Sequence, residues 1–166
     1  LLVELILIFS KASVSYASWR IGFAAGNVKL IESLTRIKSY LDYGAFTPIQ
    51  VAAASALNGP QDCVNEIRET YQKRRDVLIE SMRRIGWDIP KPSASMFAWA
   101  PIPEPYKNKG SMKFAKELMI KADVAVAPGI AFGEFGEGFV RIGLVENVQR
   151  IRQAVRNIKE YFKLNN

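Results

Sequence analysis

Three basic side chains stand where a cation is either costly or useful. Lys11 follows Ser10 directly after the apolar run 1–9, Arg20 follows Trp19 inside a second apolar run, and Arg141 interrupts Phe139-Val140-Arg141-Ile142-Gly143-Leu144. A lysine amine adds to carbonyls and moves protons only when deprotonated, so its ordinary pKa of about 10.4 has to be lowered by burial or by neighbouring positive charge. A guanidinium grips a carboxylate or phosphate through two parallel N–H bonds. Each residue also has a plainer account. A lysine in a turn is ordinarily solvated, and for Lys11 taken alone that account prevails. For Arg20, a fixed ion pair and a ligand contact explain a cation in a strand equally well. For Arg141 the ligand contact is favoured, because an unpaired charge among Phe139, Val140, Ile142 and Leu144 costs several kcal/mol unless an anion compensates it. The rival is an ion pair with Glu134, Glu137 or Glu146. Gly129, Gly133, Gly136 and Gly138 give the preceding loop the freedom to approach a ligand closely.

The elements that would position these residues alternate between helix and strand. Residues 1–9, interrupted only by Glu4, read as a buried central strand of a parallel sheet. Lys11 then lies at the carboxyl end of that strand, where open α/β sheets bind ligands. Such a strand needs neighbours on both sides, and the chain begins on it without an initiator Met, so a preceding part of a larger protein is expected. Residues 19–25 read as a second strand ended by Gly26 and Asn27. Leu30, Ile31, Leu34 and Ile37 predict a helix over 28–40. Thr47, Pro48 and Gln50 form a capping-box pattern for a helix that Gly59-Pro60 stops. Val64, Ile67, Tyr71, Leu78, Met82 and Ile85 share one face of a long helix closing at Gly86. After Trp87 the texture changes: a strand over 95–100, a Pro-rich loop over 101–106, a helix capped by Ser111, strands over 124–127 and 139–144 around a glycine-rich loop, and a last helix from Asn147. This predicts an α/β protein in three parts: residues 1–45 at the end of a large domain, interdomain helices over 46–87, and a small α/β domain over 88–166.

Composition narrows the possible functions. The 166 residues are 49% hydrophobic and 23% charged, ordinary globular values. Net charge is +7, which raises a nucleic-acid binder as one possibility. The basic residues, however, group as Lys73-Arg74-Arg75 and Arg150-Ile151-Arg152 on helix faces expected to be solvated, without aromatic interleaving. No nucleic-acid partner is expected. The first nine residues are too short for a membrane span and lack the basic start of a signal peptide, so no membrane partner is expected either. Cys63, the single cysteine, excludes an internal disulfide, is read as packing, and suits a reducing, cytoplasmic compartment. No metal ligands are among the candidates.

The order of the motifs is more specific than any one of them. Ser10-Lys11, Trp19-Arg20-Ile21-Gly22-Phe23 and Gly26-Asn27 resemble the cofactor-lysine region of class I/II aminotransferases, the fold-type I pyridoxal-phosphate enzymes. Leu41-Asp42-Tyr43-Gly44 with Phe46-Thr47-Pro48-Ile49-Gln50, Tyr71 with Arg74-Arg75-Asp76, and Met96-Phe97 with Trp99 agree in order and spacing. Pro128-Gly129, Phe132-Gly133, Gly136 and Arg141 match the loop and strand that present the substrate-carboxylate arginine. Between Lys11 and Arg20 the sequence departs from the family's usual wording, and Ile8 replaces a common serine. Within the family the chain is most similar to the alanine (glutamate-pyruvate) and LL-diaminopimelate branch.

The resemblance implies the end of the large pyridoxal-phosphate-dependent transferase domain followed by the small carboxy-terminal domain. It implies pyridoxal 5'-phosphate as cofactor, carried as a Schiff base on Lys11 with Ser10 and Arg20 as further cofactor contacts, and Arg141 on the substrate α-carboxylate. The reaction implied is transfer of an amino group from an amino acid to a 2-oxo acid by a homodimer. A preceding segment would supply the aromatic that stacks on the cofactor ring and the acid facing its nitrogen, so this chain alone is expected to be inactive. The alternative is a non-catalytic fragment or degenerate relative acting as a binding module.

Overall fold

The computed structural model describes residues 7–9, 21–42 and 44–164. These divide into two compact units, Leu1–Arg68 and Glu69–Asn166.

In the first unit, β1 (Leu7–Phe9) pairs with β2 (Phe23–Ala25) in register Leu7 to Ala25 and Phe9 to Phe23. The pairing is antiparallel, not the parallel ladder expected for the opening strand. Two strands this close in sequence can return on each other without the long crossover that parallel neighbours need. α1 (Val28–Leu41) starts at Asn27, whose side chain accepts from the backbone N–H of Lys29 at 3.0 Å. None of its residues is buried. α2 (Thr47–Asn58) lacks the expected capping box. The helix begins one residue early, so the Phe46 carbonyl already accepts from Ile49 and Gln50. The side-chain amide of Gln50 donates to Ala45 instead. Cys63, at the start of α3 (Asp62–Arg84), is exposed where packing was expected. One step along a helix turns a side chain about 100° away from its neighbour, so Cys63 leaves the stripe that Val64 and Ile67 occupy.

The second unit holds the core. The remainder of α3 buries Leu78 and Met82 and stops at Gly86, whose φ of 85° suits a residue without a Cβ. Trp87 follows, fully buried, with its indole N–H donating to the Pro101 carbonyl at 2.8 Å. A three-stranded antiparallel sheet runs in the order β3 (Phe97–Pro101), β5 (Phe139–Gly143), β4 (Ala127–Pro128). Its inner face presents Ala98, Ala100 and Val140 to a cluster containing Phe114 and Leu118 of α4 (Gly110–Ala122) and Ile151, Val155, Ile158 and Tyr161 of α5 (Val148–Leu164). Small residues on the strands let the large helix side chains come close. β4 is shorter than predicted: the N–H of Val124 donates to Leu118 at the end of α4, holding 124–126 against the helix rather than in the ladder.

The basic run on α3 departs from expectation at two of its three residues, Lys73 being exposed as expected. Arg74 and Arg75 are not solvated but half-buried. Arg74 Nη1 donates to the carbonyls of Leu144 at 3.1 Å and Val145 at 3.0 Å, and Arg75 to those of Pro92 and to Asp76. Asp76 also meets Lys91 at 2.8 Å, and its carboxyl is held below the ordinary range first by the Arg75 hydrogen bond and then by Lys91. Arg150 and Arg152 on α5 are exposed as expected.

Candidate functional site

Strand alternation decides where Arg141 points. With Ala98, Ala100 and Val140 turned inward, Phe97, Trp99, Phe139 and Arg141 share the outer face, and Arg141 lies opposite both Trp99 on β3 and Ala127 on β4. Arg141 is therefore half-buried on an open sheet face rather than enclosed in the apolar strand. Its guanidinium carbon lies 4.2 Å from the ring centre of Phe97 and 4.3 Å from that of Phe132. Trp99 stacks on Phe139 and meets the edge of Phe132, both at 5.7 Å. The rival ion pair does not form: among the described residues no carboxylate pairs with Arg141, Glu134, Glu137 and Glu146 included. The site thus presents a cation with aromatic walls and, among the described residues, no counter-ion, a setting suited to a small carboxylate.

Glu137 has another task. Its carboxylate accepts from the backbone N–H of Ser111 at 2.5 Å, from the Ser111 hydroxyl at 2.8 Å and from the N–H of Gly138 at 3.0 Å. These donors, the Ser111 backbone foremost, pull its pKa below the ordinary value. Ser111, read from sequence as the cap of α4, is instead the second helical residue; an acid from 26 positions away serves the first-turn N–H, as the helix dipole favours. The buried Ser111 hydroxyl in turn accepts from the N–H of Ile130 at 3.2 Å. Between these anchors lie two short 3-10 turns, Gly129–Phe132 and Glu134–Gly136. Gly129 and Gly136 approach each other rather than a ligand: a Cβ on Gly136 would stand 2.1 Å from the Gly129 carbonyl oxygen. The loop that carries Phe132 is thereby fixed at both ends.

Lys11, Ser10 and Arg20, the other predicted site residues, lie outside the described residues. Phe97 and Phe132 were part of the motifs but had no assigned role. For Phe97 the alternation of β3 was a usable signal; Phe132 reaches Arg141 through irregular turns that no periodicity announces. Among the described residues there is no group of three side chains suited to a metal ion, and no helix long and apolar enough to cross a membrane.

Residues 9–158 match the sequence profile of the family described as aminotransferase class I and II. The chain is 54% identical over 151 residues to the glutamate-pyruvate aminotransferase AlaC of Escherichia coli, a match covering 91% of this chain and 37% of that protein. It is 40% identical over 153 residues to the LL-diaminopimelate aminotransferase of Moorella thermoacetica, covering 91% and 38%. Among solved structures, the aromatic aminotransferase of Pyrococcus horikoshii superposes with a TM-score of 0.86 at 31% identity, over 96% of this chain and 43% of that one. The chain thus spans little more than a third of the curated relatives it matches. These matches establish that the chain belongs to the class I and II aminotransferases.

Proposed function

We propose that this chain is the carboxy-terminal part of a pyridoxal-phosphate-dependent aminotransferase that moves an amino group from an amino acid to a 2-oxo acid. The observation that carries the reading is Arg141, a guanidinium against two phenyl rings with no carboxylate of the described chain against it. Its two N–H groups on one edge match the two oxygens of an α-carboxylate, the one group that every amino donor and every 2-oxo acid share. A site built on that group accepts both halves of the reaction.

The cofactor-side residues fit by their chemistry. Over residues 10–20 the chain offers an amine on Lys11, a hydroxyl on Ser10 and a guanidinium on Arg20, the groups an aldehyde and a phosphate call for. When bound, pyridoxal 5'-phosphate supplies an electrophilic aldehyde and a ring that withdraws electrons from the α-carbon. Lys11 Nζ would hold the cofactor and, once free, take up the proton of the α-carbon. Arg20 and Ser10 would hold the phosphate. Arg141 would fix the substrate so that its α-carbon keeps one orientation while that proton moves. We further propose that the complete protein is a cytoplasmic homodimer, with residues 1–45 closing the large domain, 46–87 as interdomain helices and 88–166 as the small domain.

The test is Arg141→Lys in the complete protein, which keeps the charge and loses the planar fork. The expected result is a fall in kcat/KM on the order of 100-fold for every amino donor, with cofactor content retained. Unchanged kcat/KM would remove Arg141 from the substrate site.

A further inference from the structure

The aromatic side chains around Arg141 divide by what holds them. Phe97 is half-buried on β3, but Phe132 is 51% exposed and adds nothing to the core. Phe132 ends the turn Gly129–Phe132, whose start is set by the Gly129–Gly136 approach and by the bond from Ile130 N–H to the buried Ser111 hydroxyl. Its ring meets Trp99 edge-on and covers the Arg141 guanidinium at 4.3 Å. The loop is therefore anchored on the core side while its exposed tip rests on a cation.

We propose that Phe132 is a positioning residue: with Phe97 it clamps the flat guanidinium of Arg141, leaving the N–H edge as the open approach for a carboxylate. This deepens the reading of Arg141 as the substrate-carboxylate residue and rests on it. Two physical effects follow from the clamp. Ring faces attract the cation and displace water from it, so less hydration has to be stripped when the carboxylate arrives. A guanidinium held in one plane also loses less freedom on forming two parallel bonds. Both effects act on binding of the carboxylate, present in substrate and transition state alike, so they appear in KM before kcat.

The test compares Phe132→Leu, Phe132→Trp and Arg141→Ala in the complete holoenzyme, with alanine and glutamate as amino donors. Leu keeps apolar bulk and loses the ring face; Trp keeps and enlarges it. Phe132→Leu is expected to raise KM about three- to tenfold for both donors with kcat changed less, and Phe132→Trp to restore it. Arg141→Ala tests the underlying reading separately, since that reading requires its substrate affinity to fall whether or not the clamp exists. Loss in Arg141→Ala with wild-type KM in Phe132→Leu would overturn the clamp and leave Arg141 in place. An equal rise in the Leu and Trp variants would overturn it as a general loop effect. A Leu variant that does not fold would overturn it too, because Phe132 would then be a folding residue. Unaltered substrate affinity in Arg141→Ala would sink the reading on which the clamp rests.

Discussion

Gly129 and Gly136 lie back to back: a Cβ on Gly129 would sit 1.9 Å from the Gly136 carbonyl oxygen and 2.6 Å from that of Phe139. Backbone atoms cannot yield as a flexible side-chain end can, so the two 3-10 turns would have to separate. Gly129→Ala is expected to destabilise the second unit by about 3 kcal/mol or more and to weaken substrate binding in whatever folds. Urea unfolding of the complete protein measures the first effect; a midpoint within error of the parent would contradict the packing described.

Glu137 supplies a pH-dependent brace. Its folded pKa lies below the ordinary 4.5 because Ser111 and Gly138 donate to the ionised form. A group with a lowered folded pKa contributes stability that is complete above its unfolded pKa and is lost as pH falls through the folded one. Glu137→Gln is therefore expected to lower Tm at pH 7, with the gap to the parent narrowing as pH falls below the ordinary 4.5 and through the lower folded pKa. A gap that stays constant over that range would mean that charge plays no part in the clasp.

Arg74 secures the far end of the strand that carries Arg141. Arg74→Lys gives up the fork that reaches two successive carbonyls, and a cost of about 1–2 kcal/mol is expected from the loss of charge-assisted bonds at a half-buried site. The denaturation midpoint should fall with an unchanged slope. Wild-type stability would show that water replaces the arginine without penalty.

Borohydride treatment of the complete protein loaded with pyridoxal phosphate, followed by peptide mapping, is expected to label Lys11. The motivation is Ser10-Lys11 placed directly after the opening apolar run. Label on a different lysine would remove Lys11 from the site.

The helices were legible because burial on a curved surface writes a period into the sequence, as Val148, Ile151, Val155 and Ile158 show for α5. Position alone was less informative. Ser111 belongs to a residue type that caps helices, yet the cap comes from Glu137, and no local pattern joins residues 111 and 137. Arg74 reads as solvated because its acceptors, Leu144 and Val145, are main-chain carbonyls, which leave no trace in residue identity. Of the site, the strand bearing Arg141 was visible as an anomaly in an apolar run; its outward direction followed only once Ala98, Ala100 and Val140 were seen to take the inner face.

The packing of Trp87 also orders events during synthesis. The indole sits 5.7 Å from Phe114 and 5.8 Å from Phe162, so the core that begins with Leu78 and Met82 on α3 is finished by residues of α5. While the ribosome is still translating the segment between them, Trp87, Phe114 and the inner face of the sheet have no lid. A nascent chain paused before α5 has emerged from the exit tunnel would expose that surface to chaperones, and closure of the second unit has to be a late, long-range event rather than a progressive one.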